Sequence, residues 1–260
     1  MTKPSLRIHS AGLTDPGKVR QGNEDAFIAD DVLGLYAVAD GVGGLQAGEE
    51  ASRAVIKALR DSIAGLRSGT DTTPPFGISR DDQQETRALR HAIVLANQRL
   101  WERVRKSPGL QGMGSTVTAM VIRGDQASFA HVGDSRAYRL RGAKLTQLTR
   151  DHSLVAEQVR AGKISAADAR RSPHRNVITR AVGIEQDIEM DLANEVVRPG
   201  DWYLLCSDGL TDMLSDSEIA GILRGRGPQD AVRTLVDAAN RNGGKDNITA
   251  VVIAAEKEIA

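Results

Sequence analysis

The sequence predicts an α+β fold in which a layered, mixed or antiparallel sheet is flanked by helices. Short runs rich in Val, Ile, Tyr and Ala cluster in the middle of the chain, whereas the helical patterns come in long blocks. These segments do not alternate regularly as β, α, β, which argues against a doubly wound parallel sheet. With 260 residues, 40% of them hydrophobic, the chain can bury a substantial core, and we expect one domain over residues 1–260.

The spacing of the apolar residues predicts the individual elements. Strands are expected at Leu35–Ala39, Ser115–Ile122, Ala127–Val132, Ala137–Leu140, Trp202–Cys206 and Ile248–Ile253. Apolar residues recurring at three- and four-residue spacing predict helices at Ala47–Leu66, Glu85–Val104, Glu218–Leu223 and Gln229–Ala239. Most of these strands end in Asp, Gly or Ser, so polar side chains are expected at strand ends.

Two segments lack the pattern of a core element. Gly65–Asp82 is rich in Gly, Ser, Thr, Pro and Asp and predicts a surface loop between two helices. Asp151–Val182 combines short charged helices with too few apolar residues for a second core. We therefore expect this second segment to be an excursion from the main domain.

Composition excludes several classes of protein. Lys plus Arg and Asp plus Glu both total 34, so no global basic field attracts nucleic acid or an anionic membrane. The N-terminus lacks the apolar core of a signal peptide, and no apolar run approaches the roughly 20 residues of a membrane span. Cys206 is the single cysteine and is expected to be a buried small hydrophobe. We expect a cytoplasmic protein with no nucleic-acid or membrane partner.

Several aspartates stand where predicted strands begin or end. Asp40 follows the apolar run LYAVA and precedes a glycine-rich turn, whose backbone a ligand can approach closely. The pattern recurs at Asp208, after YLLCS, and at Asp134, after FAHVG, while Asp246 precedes the strand ITAVVI. Because Asp and Gly are common turn residues, a turn former is an equally good interpretation of any one site taken alone.

The set of aspartates, taken together, favours metal binding. Carboxylates that converge at one sheet edge repel each other unless cations neutralise them. Oxygen ligands without His or Cys at the strand ends suit Mg²⁺ or Mn²⁺ rather than structural zinc. Two such cations bridged by a shared carboxylate could activate a water and hold the oxygens of a phosphoryl group. A further polar group, Arg20, Asn23, Glu24 and Asp25, lies near the N-terminus.

The ordered motifs of the chain carry a resemblance to a known family. They are VRQGNEDAF (Val19–Phe27), VADGVGG (Val38–Gly44), GMGSTVTA (Gly112–Ala119), HVGDSRAYRL (His131–Leu140), LTRDHS (Leu148–Ser153), ITRAVG (Ile178–Gly183), LLCSDGLTD (Leu204–Asp212) and GGKDNITAVV (Gly243–Val252). With these motifs the chain resembles the type 2C, or PPM, metal-dependent protein serine/threonine phosphatases in their stand-alone bacterial form. The resemblance covers nearly the whole chain.

The resemblance implies a four-layer α-β-β-α sandwich, in which helices flank two antiparallel sheets and the metal centre lies at one end. By similarity, Asp40 bridges two core Mn²⁺ or Mg²⁺ ions and belongs to the catalytic set. Asp208 and Asp246 complete one metal site, and the carbonyl of Gly41 serves the other. The excursion at about 151–182 corresponds to the flap beside the metal site in bacterial relatives, where it is expected to influence substrate access and the third metal.

The remaining site residues are also assigned by similarity. Glu24 and Asp25 are expected to act mostly through metal-bound waters. Asp134, together with Asp208, matches the positions that hold a third, weaker metal in bacterial relatives. Arg20 is expected to be catalytic by binding the substrate phosphate, since a planar guanidinium can engage two oxygens at once.

The implied reaction is direct attack of a metal-activated water on phosphorus, in line with the departing Ser or Thr oxygen and without a phosphoenzyme. Many eukaryotic members carry a His after the Asp-Gly pair as the proposed acid, but this chain has Val42 there. His152 is interpreted as a histidine hydrogen-bonded within a loop rather than as a proton carrier. Ser115 and Thr116 are interpreted as packing residues at a strand start, because no nucleophile elbow surrounds them.

The expected function is removal of phosphate from phosphorylated proteins in opposition to a Ser/Thr protein kinase, by a monomeric enzyme. A catalytically silent phosphoprotein-binding relative is the main alternative, although such proteins usually lose metal carboxylates that are present here. An oxygen-ligated structural calcium protein is a third reading, but no twelve-residue calcium-loop pattern occurs in the sequence.

Overall fold

The computed structural model describes residues 6–69 and 84–258. Its strands are β1 (Leu6–Asp15), β2 (Asp25–Asp30), β3 (Leu35–Val42), β4 (Gly114–Ser115), β5 (Val117–Arg123), β6 (Gln126–Val132), β7 (Arg136–Arg141), β8 (Lys144–Gln147), β9 (Asp191–Val196), β10 (Trp202–Cys206) and β11 (Ile248–Lys257). Its helices are α1 (Leu45–Ser68), α2 (Gln84–Lys106), α3 (Leu154–Arg160), α4 (Ala166–Arg171), α5 (Asp208–Thr211), α6 (Asp216–Leu223) and α7 (Pro228–Arg241). Within these ranges, no helix is both long and apolar enough to serve as a membrane span.

The strands form two antiparallel sheets. The first sheet has five strands in the order β1-β11-β10-β7-β8. The second has the order β2-β3-β5-β6-β9, and the short strand β4 extends the pairing of β3. Helices α1 and α2 pack on the second sheet, while α6 and α7 pack on the first. The predicted four-layer sandwich is therefore confirmed.

Alternation along each strand divides the side chains between two hydrophobic layers. In β3, Leu35, Ala37 and Ala39 face the helical layer, whereas Tyr36 and Val38 face the opposite sheet. Because both faces of β3 are covered, its sequence is a continuous apolar run instead of an alternating one. Because both faces of β3 are packed, the strand has a fixed position between the two layers, and so does Asp40 near its end.

The strands that sequence patterns did not predict are the edges of the sheets. β1 and β8 border one sheet, and β2 and β9 border the other. β9 (DLANEV) contains no fully buried residue, and β8 (KLTQ) likewise contains none. Edge strands tolerate polar side chains because one backbone edge and part of their surface stay in water, so their apolar signal is weak.

The predicted strand Ser115–Ile122 is two strands rather than one. β4 and β5 keep the same register against β3, but the ladder is interrupted at Thr116. The N–H of Asp40 donates to the hydroxyl oxygen of Thr116 at 3.0 Å, where a backbone carbonyl would serve in a regular ladder. The interruption lies directly opposite Asp40 and therefore belongs to the site.

The four predicted helices are all present, each with slightly wider bounds. Helix α1 continues through Ser68 and ends at Gly69, which has the left-handed backbone φ of 69° common after helices. The first residues of the predicted loop Gly65–Asp82 are thus helical, which corrects that boundary. Residues 70–82 of the predicted loop lie outside the described part of the chain.

The predicted excursion, residues 151–182 and here called the flap, contains the short helices α3 and α4. Helix α4 has no buried residue, whereas α3 buries Val155. A salt bridge holds the first residue of the flap to β7, with Arg136 Nη2 2.6 Å from Asp151 Oδ2. The bridge between Ser153 and Ile178 joins the two ends of the flap to each other, and the bridge between Ser115 and Val182 attaches the flap to β4.

Candidate metal centre

Asp25 lies where the two sheets meet at one end of the sandwich. It faces Asp40 across the β2–β3 pair. Its Oδ2 accepts hydrogen bonds from Thr249 Oγ1 at 2.6 Å and from Ser207 Oγ at 2.9 Å, both in or next to the opposite sheet. Its Oδ1 is buried, and no donor among the described residues reaches it. One oxygen thus ties the sheets together and the other is left free for a ligand.

Asp40 is held in place by hydrogen bonds to its backbone. The groups that make these bonds, Ser115 and Thr116, do not bond its carboxylate. Its N–H and C=O are both engaged by Thr116, and Ser115 Oγ also donates to the Asp40 carbonyl at 3.1 Å. The hydroxyl of Thr116 in turn pairs with Ser135 Oγ at 2.9 Å, next to Asp134. Ser115 and Thr116 therefore do more than the packing that the sequence indicated.

The backbone of the first turn of α1 lies in direct contact with the backbone at the end of β3. A Cβ on Gly41 would lie 2.0 Å from the carbonyl oxygen of Gly48, and a Cβ on Gly48 would lie 2.0 Å from Glu24 Oε2. Only glycine allows this approach. The glycines thus bring the Glu24 carboxylate and the backbone after Asp40 into one small volume.

Asp246 is held beside Arg20 by the loops at the other side of the site. Arg20 Nη2 donates to Asp246 Oδ2 at 2.7 Å, and the N–H of Asn247 donates to Asp246 Oδ1 at 2.8 Å. Asn247 also accepts from the N–H of Glu24 at 2.8 Å through Oδ1. Its amide nitrogen donates to the carbonyls of residues 16 and 22, so this one side chain cross-links the N-terminal and C-terminal motifs.

Asp208 begins the short helix α5 directly after β10. Its Oδ1 is buried and finds no hydrogen-bond donor in the described part of the chain. Burial raises the pKa of Asp208, and charge repulsion from Asp134 and Asp212 raises it further, so these carboxylates lie near it. Asp212, which the sequence analysis did not single out, pairs with Arg175 of the flap at 3.9 Å.

The electrostatics of this end of the sandwich oppose ionisation. Loss of hydration, followed by repulsion from Asp25, raises the pKa of Asp40 well above its usual range. Burial also raises the pKa of Asp208 well above its usual range. It raises the pKa of Asp25 to about 6, against the hydrogen bonds from Thr249 and Ser207. For Asp134, burial and then the charge of Asp151 raise the pKa to about 7.

These pKa shifts predict a pH dependence for the metal-free protein. A carboxyl with a raised folded pKa contributes stability below its unfolded pKa, and this stability is lost as the pH rises through the folded pKa. In EDTA, between about pH 6.5 and pH 8, we expect the free energy of unfolding to fall by about 1–2 kcal/mol. Urea unfolding at the two pH values measures this difference.

Asp134→Asn provides the matched control for that measurement, since Asn removes the charge at nearly constant volume. With the Asp134 pKa at about 7, the variant should lose part of the pH dependence in this window. An identical slope in wild type and variant would show that this carboxyl is not the source.

The residues present fit a cluster of divalent cations. Among the described residues, no three acidic, His or Cys side chains are close enough together to coordinate one metal ion. Such spacing is natural for carboxylates that repel each other without a cation between them. The unpaired buried oxygens of Asp25 and Asp208 are acceptors that a hard cation would satisfy.

The structure brings the residues expected from sequence to one end of the sandwich. Arg20, Glu24, Asp25, Asp40 and Asp246 are linked by hydrogen bonds, strand pairing or mutual charge effects. Asp208 and Asp134 adjoin them. Sequence reasoning missed the residues that support this group, which are Thr116, Ser207, Asp212, Asn247 and Thr249. All five lie inside the quoted motifs, so their position close to the acidic residues in sequence was the available signal.

Two positions bear on the question of a proton donor, Val42 and His152. Val42 pairs with Gly114 in the β3–β4 ladder and offers no acid. His152 is 4% exposed, and its Nδ1 accepts from the N–H of Gly133 at 3.2 Å while its Nε2 lies 3.5 Å from Asp191. Burial lowers the pKa of His152, which agrees with its interpretation as a hydrogen-bonded loop residue.

Comparisons with known proteins agree with this geometry. The sequence model of the family described as Protein phosphatase 2C matches residues 17–251. The chain is 37% identical over 252 residues to the serine/threonine protein phosphatase PstP of Mycobacterium tuberculosis, an alignment that covers 97% of this chain. It is 36% identical over 250 residues to the serine/threonine phosphatase stp of Listeria monocytogenes, with 95% of each chain covered. This chain spans about half of the mycobacterial relative, since the alignment covers 46% of that protein.

Solved structures show the same similarity. The crystal structure of the M. tuberculosis phosphatase PstP/Ppp matches with a TM-score of 0.84 and 37% identity, over 97% of this chain and 99% of that one. The catalytic domain of PstP in complex with 2 manganese ions matches with a TM-score of 0.81 and 36% identity, over 96% and 99%.

Proposed function

The chain belongs to the protein phosphatase 2C family, and from that premise we propose that it hydrolyses phosphoserine and phosphothreonine on proteins. The observation that carries the proposal is the pair of buried carboxylate oxygens, on Asp25 and Asp208, that face the acidic cluster without a donor. Acidic side chains in this arrangement are useful only if cations neutralise them. The relatives named as phosphatases, one of them with 2 manganese ions, support the same reading.

The residues that would hold the core ions are Asp40, the carbonyl of Gly41, Asp208 and Asp246, with Glu24 and Asp25 acting through water. Bound Mn²⁺ or Mg²⁺ would supply an activated water and neutralise charge on the phosphoryl oxygens. Asp134 with Asp208 would hold a third, weaker ion. Asp25 also preserves the distance between the sheets, because Ser207 and Thr249 both bind its Oδ2.

Arg20 would orient the phosphoryl group. Its side chain is 52% exposed and is held at one nitrogen by Asp246, so other N–H groups of the guanidinium remain available to a phosphate. A planar guanidinium can donate to two phosphate oxygens and stabilise charge on them as the leaving oxygen departs. The salt bridge with Asp246 would orient the guanidinium before substrate binds.

We propose that residues 1–260 form one phosphatase domain and that the enzyme acts as a cytoplasmic monomer that opposes a Ser/Thr kinase. The test is release of inorganic phosphate from a phosphothreonine peptide with and without Mn²⁺. We expect activity that depends on the added ion and is abolished by EDTA. Tight phosphopeptide binding without any hydrolysis, at any Mn²⁺ concentration, would favour the catalytically silent alternative.

The flap is proposed to tune the third metal site through Arg175. This cation lies 3.9 Å from Asp212, whose charge reaches Asp208. Removing it in Arg175→Gln should favour cation binding nearby, so we expect the weaker phase of Mn²⁺ activation to move to about two- to fivefold lower concentration. Arg171→Gln, on α4, is the control. Coincident activation curves for all three proteins would contradict this role of the flap.

A further inference from the structure

Two loops form a continuous rim beside Arg20 and Asp246. The loop after β1 and the turn before β11 are joined by the N–H of Lys18, which donates to the Gly244 carbonyl at 2.7 Å. A Cβ on Gly17 would lie 2.3 Å from the Asp246 carbonyl oxygen, so the two backbones are in direct contact. The rim is therefore a fixed part of the site and presents its side chains in a defined order.

The rim carries two lysines in addition to Arg20. Lys18 and Lys245 are both exposed. Lys18 Cγ lies 3.3 Å from the position of a Cβ on Gly244, and Lys245 Cγ lies 3.8 Å from the position of a Cβ on Gly243. The stems of both lysines thus lie against the turn that contains Gly243 and Gly244.

Neither lysine has a partner that uses up its charge. Within residues 6–69 and 84–258, neither ammonium group makes an ion pair or a side-chain hydrogen bond, whereas Arg20 is paired with Asp246 and Arg175 with Asp212. Burial raises the pKa of Asp212, and Lys245 is one of the cations whose charge lowers it, after Arg175 and Arg136. Two cations therefore remain available beside Arg20 and Asp246.

The cations matter most once the site is loaded. The inner carboxylates would repel an acidic peptide from a metal-free site, but core ions would cancel that charge. The rim then adds Lys18 and Lys245 to the half-exposed Arg20. Val19, which lies between Lys18 and Arg20 in sequence, is 65% exposed, so this part of the rim is open to solvent.

We propose that Lys18 and Lys245 bind acidic residues that flank the phosphorylated residue of a protein substrate, and so select substrates with Asp or Glu near the phosphosite. This inference rests on the proposed function and names a substrate class for the same site. The lysines would act on the encounter with the peptide and on KM, because exposed charge pairs mainly steer association and are screened by salt.

The experiment compares two phosphothreonine peptides, one flanked by Asp and Glu and one by Lys and Arg, with a small aryl phosphate that has no flanking residues. For each protein the ratio of kcat/KM between the acidic and basic peptides is measured, and the aryl phosphate rate serves to normalise any general change at the site. We expect wild type to prefer the acidic peptide by about tenfold, mostly through KM. In Lys18→Glu/Lys245→Glu the preference should vanish or reverse.

Lys144→Glu is the matched control, since Lys144 is exposed on β8 at the opposite end of the sheet from Cys206 and Asp208. It should keep the wild-type ratio. Preference in wild type should also weaken between about 50 mM and 500 mM salt. A wild type that hydrolyses both peptides equally would overturn this proposal alone. A wild type inactive on every phosphate would overturn the proposed function and this proposal with it.

Discussion

Replacing Asp208 with alanine should reduce turnover of a phosphothreonine peptide by about 10³-fold, the scale of losing a direct contributor to charge stabilisation. Asp208 presents a buried oxygen without a donor and lies among Asp134, Asp212 and Asp246. Its loss would remove a cation ligand. The measurement is phosphate release at saturating Mn²⁺, together with Mn²⁺ binding by calorimetry.

The fold should survive this change. In the metal-free protein, burial and neighbouring carboxylates make ionised Asp208 unfavourable, so its removal should increase the free energy of unfolding. Asp208→Ala is therefore expected to unfold at a temperature no lower than that of wild type in EDTA, and to gain less stability from added Mn²⁺. Asp61→Ala, an exposed aspartate paired with Lys57 on α1, is the control and should keep full activity. Wild-type turnover and Mn²⁺ affinity in Asp208→Ala would refute the assigned metal site.

Replacing Arg20 with alanine should lower kcat/KM for the same peptide by about 10²-fold. The guanidinium is held beside the acidic residues by Asp246, and its removal deletes donors for the phosphoryl oxygens. Because these donors act on charge in the transition state, the loss should appear in kcat as well as in KM.

Arg20→Lys separates charge from geometry. A lysine keeps the positive charge but cannot donate a planar pair of hydrogen bonds, so activity should be intermediate between alanine and wild type. Arg7→Ala, an exposed arginine on β1, serves as the unrelated control. If Arg20→Ala instead changed only Mn²⁺ affinity, Arg20 would act by orienting Asp246 rather than by contacting phosphate.

The interior of the fold was predictable and its edges were not. All six predicted strands lie within the sheets, where covered faces require continuous apolar runs such as LYAVA and YLLCS. The edge strands β1, β2, β8 and β9 contain Asp, Glu, Lys or His, because water reaches most of these side chains. The buried Asp25 of β2 is the exception, since it belongs to the candidate metal centre. The split at Thr116 was also hidden, since its cause is a hydrogen bond to the N–H of Asp40, 76 residues away in sequence.

The sequence by itself determined the order of the elements, the family motifs and the identity of the acidic residues, because local apolar patterns and short motifs are properties of neighbouring positions. Only the tertiary structure decided which groups support them. Asp25 is held by Ser207 and Thr249, more than 180 positions away, and Asn247 joins the loops from both ends of the chain. Contacts of this kind depend on how the two sheets face each other, as does the alignment of Lys18 with Lys245 beside Arg20, and no local pattern encodes that orientation.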